Sequence, residues 1–237
     1  GCEHLTRAPT PTMRVTSTAI DRAHQSGALI GRPEGEPYGT MHILDTIAPR
    51  AKFRLEIILS EEASSRLRLI QELLEKALAD EGIGGSKSRG LGKVSVALDA
   101  PQEVTQEQLR HRAREIDISD FSVLLRSDTI LEKDTLPEDT LLAASRRAHT
   151  LAYHEGAPVL PSVYRRGARI GQRMIAGWNL REDGRRPARM AIEAGSVFRY
   201  ASEKSVSLEE ALAALEYLAI GGFKAHGKGQ VLITTIP

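Results

Sequence analysis

Basic side chains alternate with glycines in two ten-residue segments of this chain, residues 84–93 and 221–230. The first segment reads GGSKSRGLGK and the second reads GGFKAHGKGQ. Four glycines and one lysine recur at a constant separation of 137 residues, which indicates a duplicated structural unit. Glycine lets a ligand approach the main chain closely, and lysine or arginine beside it favours an anionic ligand. We therefore expect these two glycine-rich loops to contact phosphate groups.

The helices and strands on either side of each loop limit which phosphate ligands it could bind. Each loop follows an amphipathic helix and precedes a short apolar strand, at residues 94–98 or 231–235. A P-loop opens a helix and needs glycine directly before its lysine, whereas Ser86 precedes Lys87 here. The dinucleotide fingerprint also runs from strand to helix. The observed order suits the backbone of a polynucleotide better.

A purely structural interpretation of the loops stays open. Glycine is common directly after a helix, so a helix C-cap followed by a tight turn explains Gly82 and Gly221. It does not explain repeated glycines interleaved with basic residues in the first loop. In the second loop, Phe223 and Ala225 are less polar, and the two interpretations are evenly balanced.

Composition limits the function classes. The formal net charge of +1 does not by itself predict a nucleic-acid partner, but residues 161–190 hold eight arginines against two acidic residues. A phosphate backbone senses such local charge within a Debye length of about 8 Å. That stretch is expected to line an RNA groove, to meet an acidic partner or to form a solvated hairpin.

Other chemistries have little support in the sequence. Cys2 is the only cysteine, which excludes an internal disulfide, and the seven histidines show no metal-binding spacing. We expect no metal and no cofactor. No apolar run approaches the roughly 20 residues of a membrane span, and no signal peptide is visible, so we expect a cytoplasmic protein without membrane contact. The chain opens at Gly1 without a methionine, as a fragment or processed product would.

The first half of the chain predicts the order β-β-α-β. Residues 13–20 and 52–59 alternate as strands do, and residues 21–39 are rich in glycine and proline, as a long arm would be. A helix is expected from about Ser60 to Gly82, followed by the first loop and a strand at 94–98. Residues 100–118 are expected to form a linker that contains a possible short helix.

The second half predicts the ferredoxin-like order β-α-β-β-α-β. Strands are expected at 121–131, 173–178 and 191–200, and a helix at about 137–153. A capping box at Ser207–Glu210 predicts the second helix, and the second loop and last strand follow. The fold class is therefore predicted as α+β, with tandem ferredoxin-like (RRM-like) domains at 1–110 and 118–237. The first domain lacks its opening strand and helix, so it is expected to be incomplete at its N-terminus.

With these features together, the chain resembles the RAMP superfamily of CRISPR effector subunits. A glycine-rich loop after the second helix of a ferredoxin-like domain is the hallmark of that superfamily. Residues 19–22 and 26–29 look like the "Ile-Asp-Arg … Thr-Gly … Gly-Leu" arm of type III subunits, with Ser26 in place of threonine. Residues 177–179 and 194–198 are similar to the Csx-ten subunit of subtype III-D.

The resemblance implies a non-catalytic, Cas-five-like subunit of a type III effector in antiviral defence. Such a subunit holds the 5′ tag of the guide RNA, contacts neighbouring RAMP subunits and the large subunit, and lies near the target RNA. The candidate RNA-binding residues are those of the two loops together with basic residues of the arm and the arginine stretch: Gly84, Gly85, Ser86, Lys87, Ser88, Arg89, Gly90, Lys93, Lys224, His226, Lys228, Arg22, Arg165 and Arg166.

Two other functions compete with this one. The first is a metal-independent endoribonuclease that processes repeat RNA with His24 or His226 as general base. The second is a ferredoxin-like interaction domain that binds no RNA. Asp21 is expected to order the turn of the arm, with an acid catalyst as the weaker alternative. Trp178 is expected in the core, with base stacking as the alternative.

Overall fold

A computed structural model describes residues 10–18, 20–21, 26–27, 29–30, 38–39, 41–132, 135–179 and 184–235. The chain divides into two compact units, residues 1–58 and 59–237. The predicted domain boundary between residues 110 and 118 stays a prediction. Among the described helices, none combines the length and the apolar character needed to cross a membrane.

The first unit is built on one antiparallel hairpin. Strand β1 (Thr12–Thr18) pairs with β6 (Met41–Ile47) along its whole length, from Thr12 opposite Ile47 to Thr18 opposite Met41. Four two-residue strands lie between them in sequence: β2 (Ile20–Asp21) pairs with β3 (Ser26–Gly27), and β4 (Leu29–Ile30) pairs with β5 (Tyr38–Gly39). The strand predicted at 13–20 is confirmed over residues 13–18. Most of the arm lies outside the described residues.

The strand predicted at 52–59 is wrong. Residues 51–60 form neither helix nor strand, and the partner of β1 is residues 41–47 instead. Alternation shows that side chains point to opposite faces, but a strand also needs a partner for its backbone groups. Phe53 and Leu55 are 63% and 69% exposed, so neither side chain is packed on an apolar surface among the described residues.

A helical segment begins near Ser60, as predicted. The Ser60 hydroxyl accepts a hydrogen bond from the Ala63 N–H at 3.3 Å and caps α1 (Glu61–Ser64), and α2 (Leu67–Asp80) follows. No residue of α2 is fully buried. The prediction of a strand at 94–98 is also wrong. These residues have a strand-like sequence, but they pair with no strand among the described residues.

The second half forms the predicted ferredoxin-like sheet. Its strands are β7 (Phe121–Leu125), β8 (Val163–Arg169), β11 (Val197–Ser202) and β12 (Val231–Thr234), in the antiparallel order β12-β7-β11-β8. Helix α4 (Glu138–Tyr153) connects β7 to β8, and α5 (Val206–Leu218) connects β11 to β12. The mixed α+β class with antiparallel sheets is confirmed.

Three details of this half differ from the predictions. Strand β8 is not among the predicted strands, because six of its seven residues are exposed, as suits a polar edge strand. The predicted strand 191–200 is broken at Gly195, which has a φ of +92° between β10 and β11. Helix α5 is capped by Ser205, two residues before the predicted cap, and the Ser205 side chain accepts from the Leu208 N–H.

An additional hairpin is inserted in the chain between two strands of this sheet. Strands β9 (Gln172–Asn179) and β10 (Gly184–Ile192) lie between β8 and β11 and pair antiparallel. Their pairing shifts by one position between Arg186 and Arg189, which marks a β-bulge. The bulge contains Pro187, whose missing N–H cannot serve a regular ladder.

The core lies between the sheet and α4 and α5. All five residues of β7 are buried, and α5 buries six residues, three alanines and three leucines. Helix α3 (Gln106–Arg114) packs on α5 and buries Leu109 and Ala113, so the short helix predicted in the linker is confirmed. Arg112 of α3 donates two hydrogen bonds to Glu216, at 3.0 and 2.8 Å, which secures α3 to α5. These bonds raise the pKa of Arg112 despite its partial burial.

Polar side chains form a column along the buried side of α4. Ser145, His149 and Tyr153 follow one another at intervals of four residues, and the His149 and Tyr153 rings are 4.6 Å apart. His149 Nε2 is 3.6 Å from Glu210 of α5. Burial raises the pKa of Tyr153 to about 12. The Tyr153 hydroxyl has no hydrogen-bond partner among the described residues.

Candidate functional site

The two glycine-rich loops have the same backbone conformation. Four positions in each loop, and the residue two positions before it, have positive φ: residues 82, 84, 86, 90 and 92 for the first loop and 219, 221, 223, 227 and 229 for the second. Each loop contains a single 3₁₀ turn, Lys87–Arg89 or Lys224–His226. All these features recur at the separation of 137 residues seen in the sequence. The duplication predicted from glycine spacing is therefore present in the backbone.

The same hydrogen bond closes both loops. The Ile83 N–H donates to the Gly92 carbonyl at 2.8 Å, and the Ile220 N–H donates to the Gly229 carbonyl at 2.8 Å. A Cβ on Gly92 or Gly229 would collide with the carbonyl oxygen of Ile83 or Ile220. Glycine is therefore required at the end of each loop by close backbone contact as well as by positive φ.

The first loop presents its polar groups to solvent. Lys87, Ser88, Arg89 and Lys93 are all exposed, and the Lys87 ammonium is 3.9 Å from the exposed Glu81 carboxylate. Such a long surface ion pair contributes little and leaves Lys87 able to bind another anion. At Gly84, Gly85 and Gly90, no atom of the described residues lies within 4 Å of the place that a Cβ would occupy. The main chain is thus open to close approach at three points.

The lysines of the second loop have structural partners. Lys224 Nζ donates to the carbonyl of Ala219, the residue after α5, at 2.7 Å. Burial, together with the nearby charge of Arg147, lowers the pKa of Lys224. Lys228 Nζ donates to Asp128 at 3.0 Å. Lys224 and Lys228, which were both predicted to contact RNA, therefore form hydrogen bonds within the protein. This agrees with the structural interpretation of the second loop.

Asp128 joins three elements around the second loop. Its side chain is 12% exposed, accepts from Lys228 and from the Ala194 N–H at 3.2 Å, and is 3.8 Å from Arg173 Nη1 of β9. Burial alone would raise the pKa of Asp128, but the hydrogen bonds from Lys228 and Ala194 and the charges of Lys228 and Arg173 outweigh it, so the pKa is lowered. The ionised form of Asp128 therefore holds the loop in place.

His226 belongs to a cluster of residues that was not predicted from the sequence. Its ring is 5.6 Å from the Phe223 ring, and its Nε2 is 3.4 Å from Arg186 Nη1 of β10. Arg186 and Arg189 also lie against the Phe223 ring, with guanidinium carbons 6.0 and 5.6 Å from its centroid. We call Arg186, Arg189, Phe223 and His226 the Phe223 cluster. The one feature of the sequence that could have indicated this cluster is Phe223, an aromatic residue among glycines.

The arginine stretch separates into groups with different roles. Arg165 donates to Thr135 Oγ1 at 2.9 Å, and its N–H to Glu138 at 3.3 Å. Arg166 is exposed on β8, and Arg173 faces Asp128. The predicted site residue Arg22 and the alternative base His24 lie outside the described residues, as does the Trp178 side chain.

Comparison with known proteins supports the resemblance to the RAMP superfamily. The model of the "RAMP superfamily" matches residues 16–95, a range that contains the arm and the first loop. A search of curated proteins finds no match.

Solved structures of similar shape include Cas6 proteins. A Cas6 (TTHA0078) substrate mimic complex is 14% identical with a TM-score of 0.48, over 94% of this chain and 85% of that one. The corresponding product complex is 15% identical with a TM-score of 0.45, over 94% and 84%. A Cas6 (TTHB231) product complex is 15% identical with a TM-score of 0.42, over 98% and 86%. TM-scores below 0.5 are too low for these likenesses to indicate a function.

Proposed function

We propose that this protein is an RNA-binding RAMP subunit of a CRISPR ribonucleoprotein. The observation that carries the proposal is the first glycine-rich loop, with its exposed basic side chains and open backbone. The loop lies inside the region that matches the RAMP superfamily model.

The chemistry of this loop suits a phosphodiester backbone. Lys87, Arg89 and Lys93 supply positive charge, and the Ser88 hydroxyl can donate a hydrogen bond to a phosphate oxygen. The open sides of Gly84 and Gly90 let a bulky phosphate reach the main chain. Contacts of this kind position RNA without reading its sequence.

At a finer level we propose a non-catalytic, Csx-ten-like subunit of a type III effector that works in the cytoplasm. It would hold the 5′ tag of the guide RNA and contact other RAMP subunits and the large subunit, with target RNA nearby. The resemblance of residues 19–29, 177–179 and 194–198 to those subunits supports this assignment.

RNA binding is tested by filter binding of a CRISPR-repeat RNA to the purified protein over a series of salt concentrations. We expect a complex whose affinity falls linearly with salt on logarithmic axes, with a slope of roughly −0.7 for each phosphate bound on a single strand. Absence of binding at low salt would contradict the proposal. Co-purification of the protein with the other effector subunits tests the finer assignment.

The alternative is a metal-independent endoribonuclease, and one contact favours it. His226 is exposed, and its Nε2 lies 3.4 Å from Arg186 Nη1. In a nuclease the imidazole would move a proton, and the guanidinium would stabilise charge on the phosphate. Repeat RNA incubated with the protein and a metal chelator distinguishes the two functions. Defined fragments that disappear in His226→Ala would support the nuclease, and intact RNA would support the binding subunit.

A further inference from the structure

Phe223 has an unusual backbone conformation for a large side chain. Its φ is +57°, in the left-handed region, and glycines at 221, 222 and 227 surround it. A residue with a Cβ is strained there, and glycine would adopt the conformation without strain. The chain nevertheless has phenylalanine at this position, and the residue is 38% exposed at the surface of the loop.

The bulge in β10 aligns two arginines with this ring. In a regular strand, residues 186 and 189 would point to opposite faces, because they are an odd number of positions apart. The shift in pairing adds one residue on β10, since Arg186 lies opposite Gly177 and Arg189 lies opposite Ile175. Both arginines therefore point to the same face of the hairpin, and both contact Phe223.

The cluster has positive charge without acidic partners. Among the residues that the structure describes, no carboxylate lies within 4.0 Å of Arg186 or Arg189, whereas Arg173 on the neighbouring strand faces Asp128 at 3.8 Å. Arg186 instead lies 3.4 Å from Nε2 of His226. Two guanidinium groups beside an exposed ring suit a ligand that combines an anion with a flat, stackable surface.

We infer that the Phe223 cluster binds one nucleotide of single-stranded RNA. The base stacks on the exposed part of the Phe223 ring, and Arg186 and Arg189 donate hydrogen bonds to its flanking phosphate. The His226 ring, whose centroid is 5.6 Å from that of Phe223, can form a hydrogen bond with the base or the ribose. A paired strand would not present the face of its base, so the ligand is unpaired.

This inference rests on the proposed RNA binding and adds a contact to the bases themselves. The first loop is expected to bind phosphate groups whatever the base, whereas the Phe223 cluster needs a base. A ligand that has phosphates and no bases separates the two kinds of contact.

The test measures binding of fluorescein-labelled oligoadenylate by anisotropy, with inorganic polyphosphate as the competitor that lacks bases. Phe223→Leu removes the aromatic ring and keeps an apolar side chain, and we expect about a tenfold loss of oligoadenylate affinity with little change for polyphosphate. The double variant Arg186→Gln, Arg189→Gln should weaken both ligands and flatten the salt slope by up to about 1.4.

Two further variants separate binding from folding. Phe53→Leu makes the same exchange at a ring that is 63% exposed in the first unit, and its oligoadenylate affinity should equal that of the wild type. Phe223→Gly removes the ring and the left-handed strain together, so the melting temperature should not fall while affinity for oligoadenylate does.

The outcomes distinguish failure of the inference from failure of the proposed function. If the wild-type protein binds no RNA, both are overturned. If it binds oligoadenylate and Phe223→Leu binds as tightly as Phe53→Leu, only the base contact is overturned. If the arginine variant keeps its RNA affinity but loses affinity for polyglutamate, the cluster meets an acidic protein instead, and the inference is again overturned.

Discussion

Ser86 and Phe223 have the same backbone conformation although they are 137 residues apart. Both have a φ of 57°, with ψ of 31° at Ser86 and 32° at Phe223. Neither residue is glycine, although glycine would carry less strain at this position. The loop geometry is therefore repeated within the chain while the side chain at its apex differs, polar in one copy and aromatic in the other. We expect different ligand groups at the two positions.

Two glycines of the second loop should differ in their sensitivity to substitution. Gly227→Ala places a Cβ in open space and should cost only the left-handed strain, about 1–2 kcal/mol. Gly229→Ala should lower the free energy of unfolding further, because its Cβ would collide with the Ile220 carbonyl oxygen between α5 and β12. Urea unfolding of both variants measures the difference. Equal losses would show that the loop relaxes freely at Gly229.

The lysines of the two loops should have opposite phenotypes. Lys87→Ala with Arg89→Ala should reduce RNA affinity and flatten the salt slope by roughly 0.7 for each phosphate that the variant no longer binds, with little change in melting temperature. Lys224→Ala with Lys228→Ala removes a bond to the Ala219 carbonyl and the partner of Asp128, so stability should fall by about 1–3 kcal/mol. Filter binding and thermal melts of both variants test this. The reverse pattern, with unstable first-loop variants, would contradict the assignment.

Local patterns in the sequence predict much of the second half of the fold. The buried run at β7, the helices α4 and α5 and the strand β12 follow from apolar periodicity and turn residues, and glycine spacing predicts both loops. The polar edge strand β8 carries no such signal. At 52–59 and 94–98 the pattern is typical of strands, but pairing depends on a partner that a local pattern does not contain.

The contacts of the candidate site depend on long-range neighbours. Lys228 looks like a free cation in sequence, yet its partner Asp128 is a hundred residues away, beyond the end of β7. The position of Arg189 beside Phe223 depends on the bulge at Pro187, which shifts the strand by one residue. Neither contact follows from a regular spacing in the sequence. The loop itself could therefore be predicted, but not which of its basic side chains are paired within the protein.

Asp128 should make stability depend on pH in the acidic range. Its pKa is lower in the folded protein than in the unfolded chain, so the unfolded chain binds more protons between those two values, and stability rises with pH there. The contribution is complete above the unfolded value of about 4 and is lost as the pH falls through the folded pKa. Asp128→Asn should be less stable than the wild type at pH 7, by about 2 kcal/mol.

Chemical unfolding at a series of pH values tests this dependence. The difference between the wild type and Asp128→Asn should shrink as the solution is acidified below pH 4. A difference that stays constant down to the acid transition would mean that the ionised carboxylate is not what stabilises the loop. Asp45→Asn is the matched control, because the Asp45 side chain is 69% exposed in its ion pair with Arg14.

Two buried tyrosines provide the last prediction, because their hydroxyl groups have different surroundings. The Tyr200 hydroxyl donates to the Leu136 carbonyl at 2.5 Å, whereas the Tyr153 hydroxyl has no partner among the described residues. Loss of a buried hydrogen bond leaves the carbonyl unsatisfied, so Tyr200→Phe should cost about 1–3 kcal/mol. Tyr153→Phe removes a polar group that gains nothing from burial, so the free energy of unfolding should stay equal or rise. Urea unfolding of the two variants side by side decides the matter. A loss at Tyr153 as large as that at Tyr200 would show that its hydroxyl is bonded within the α4 column.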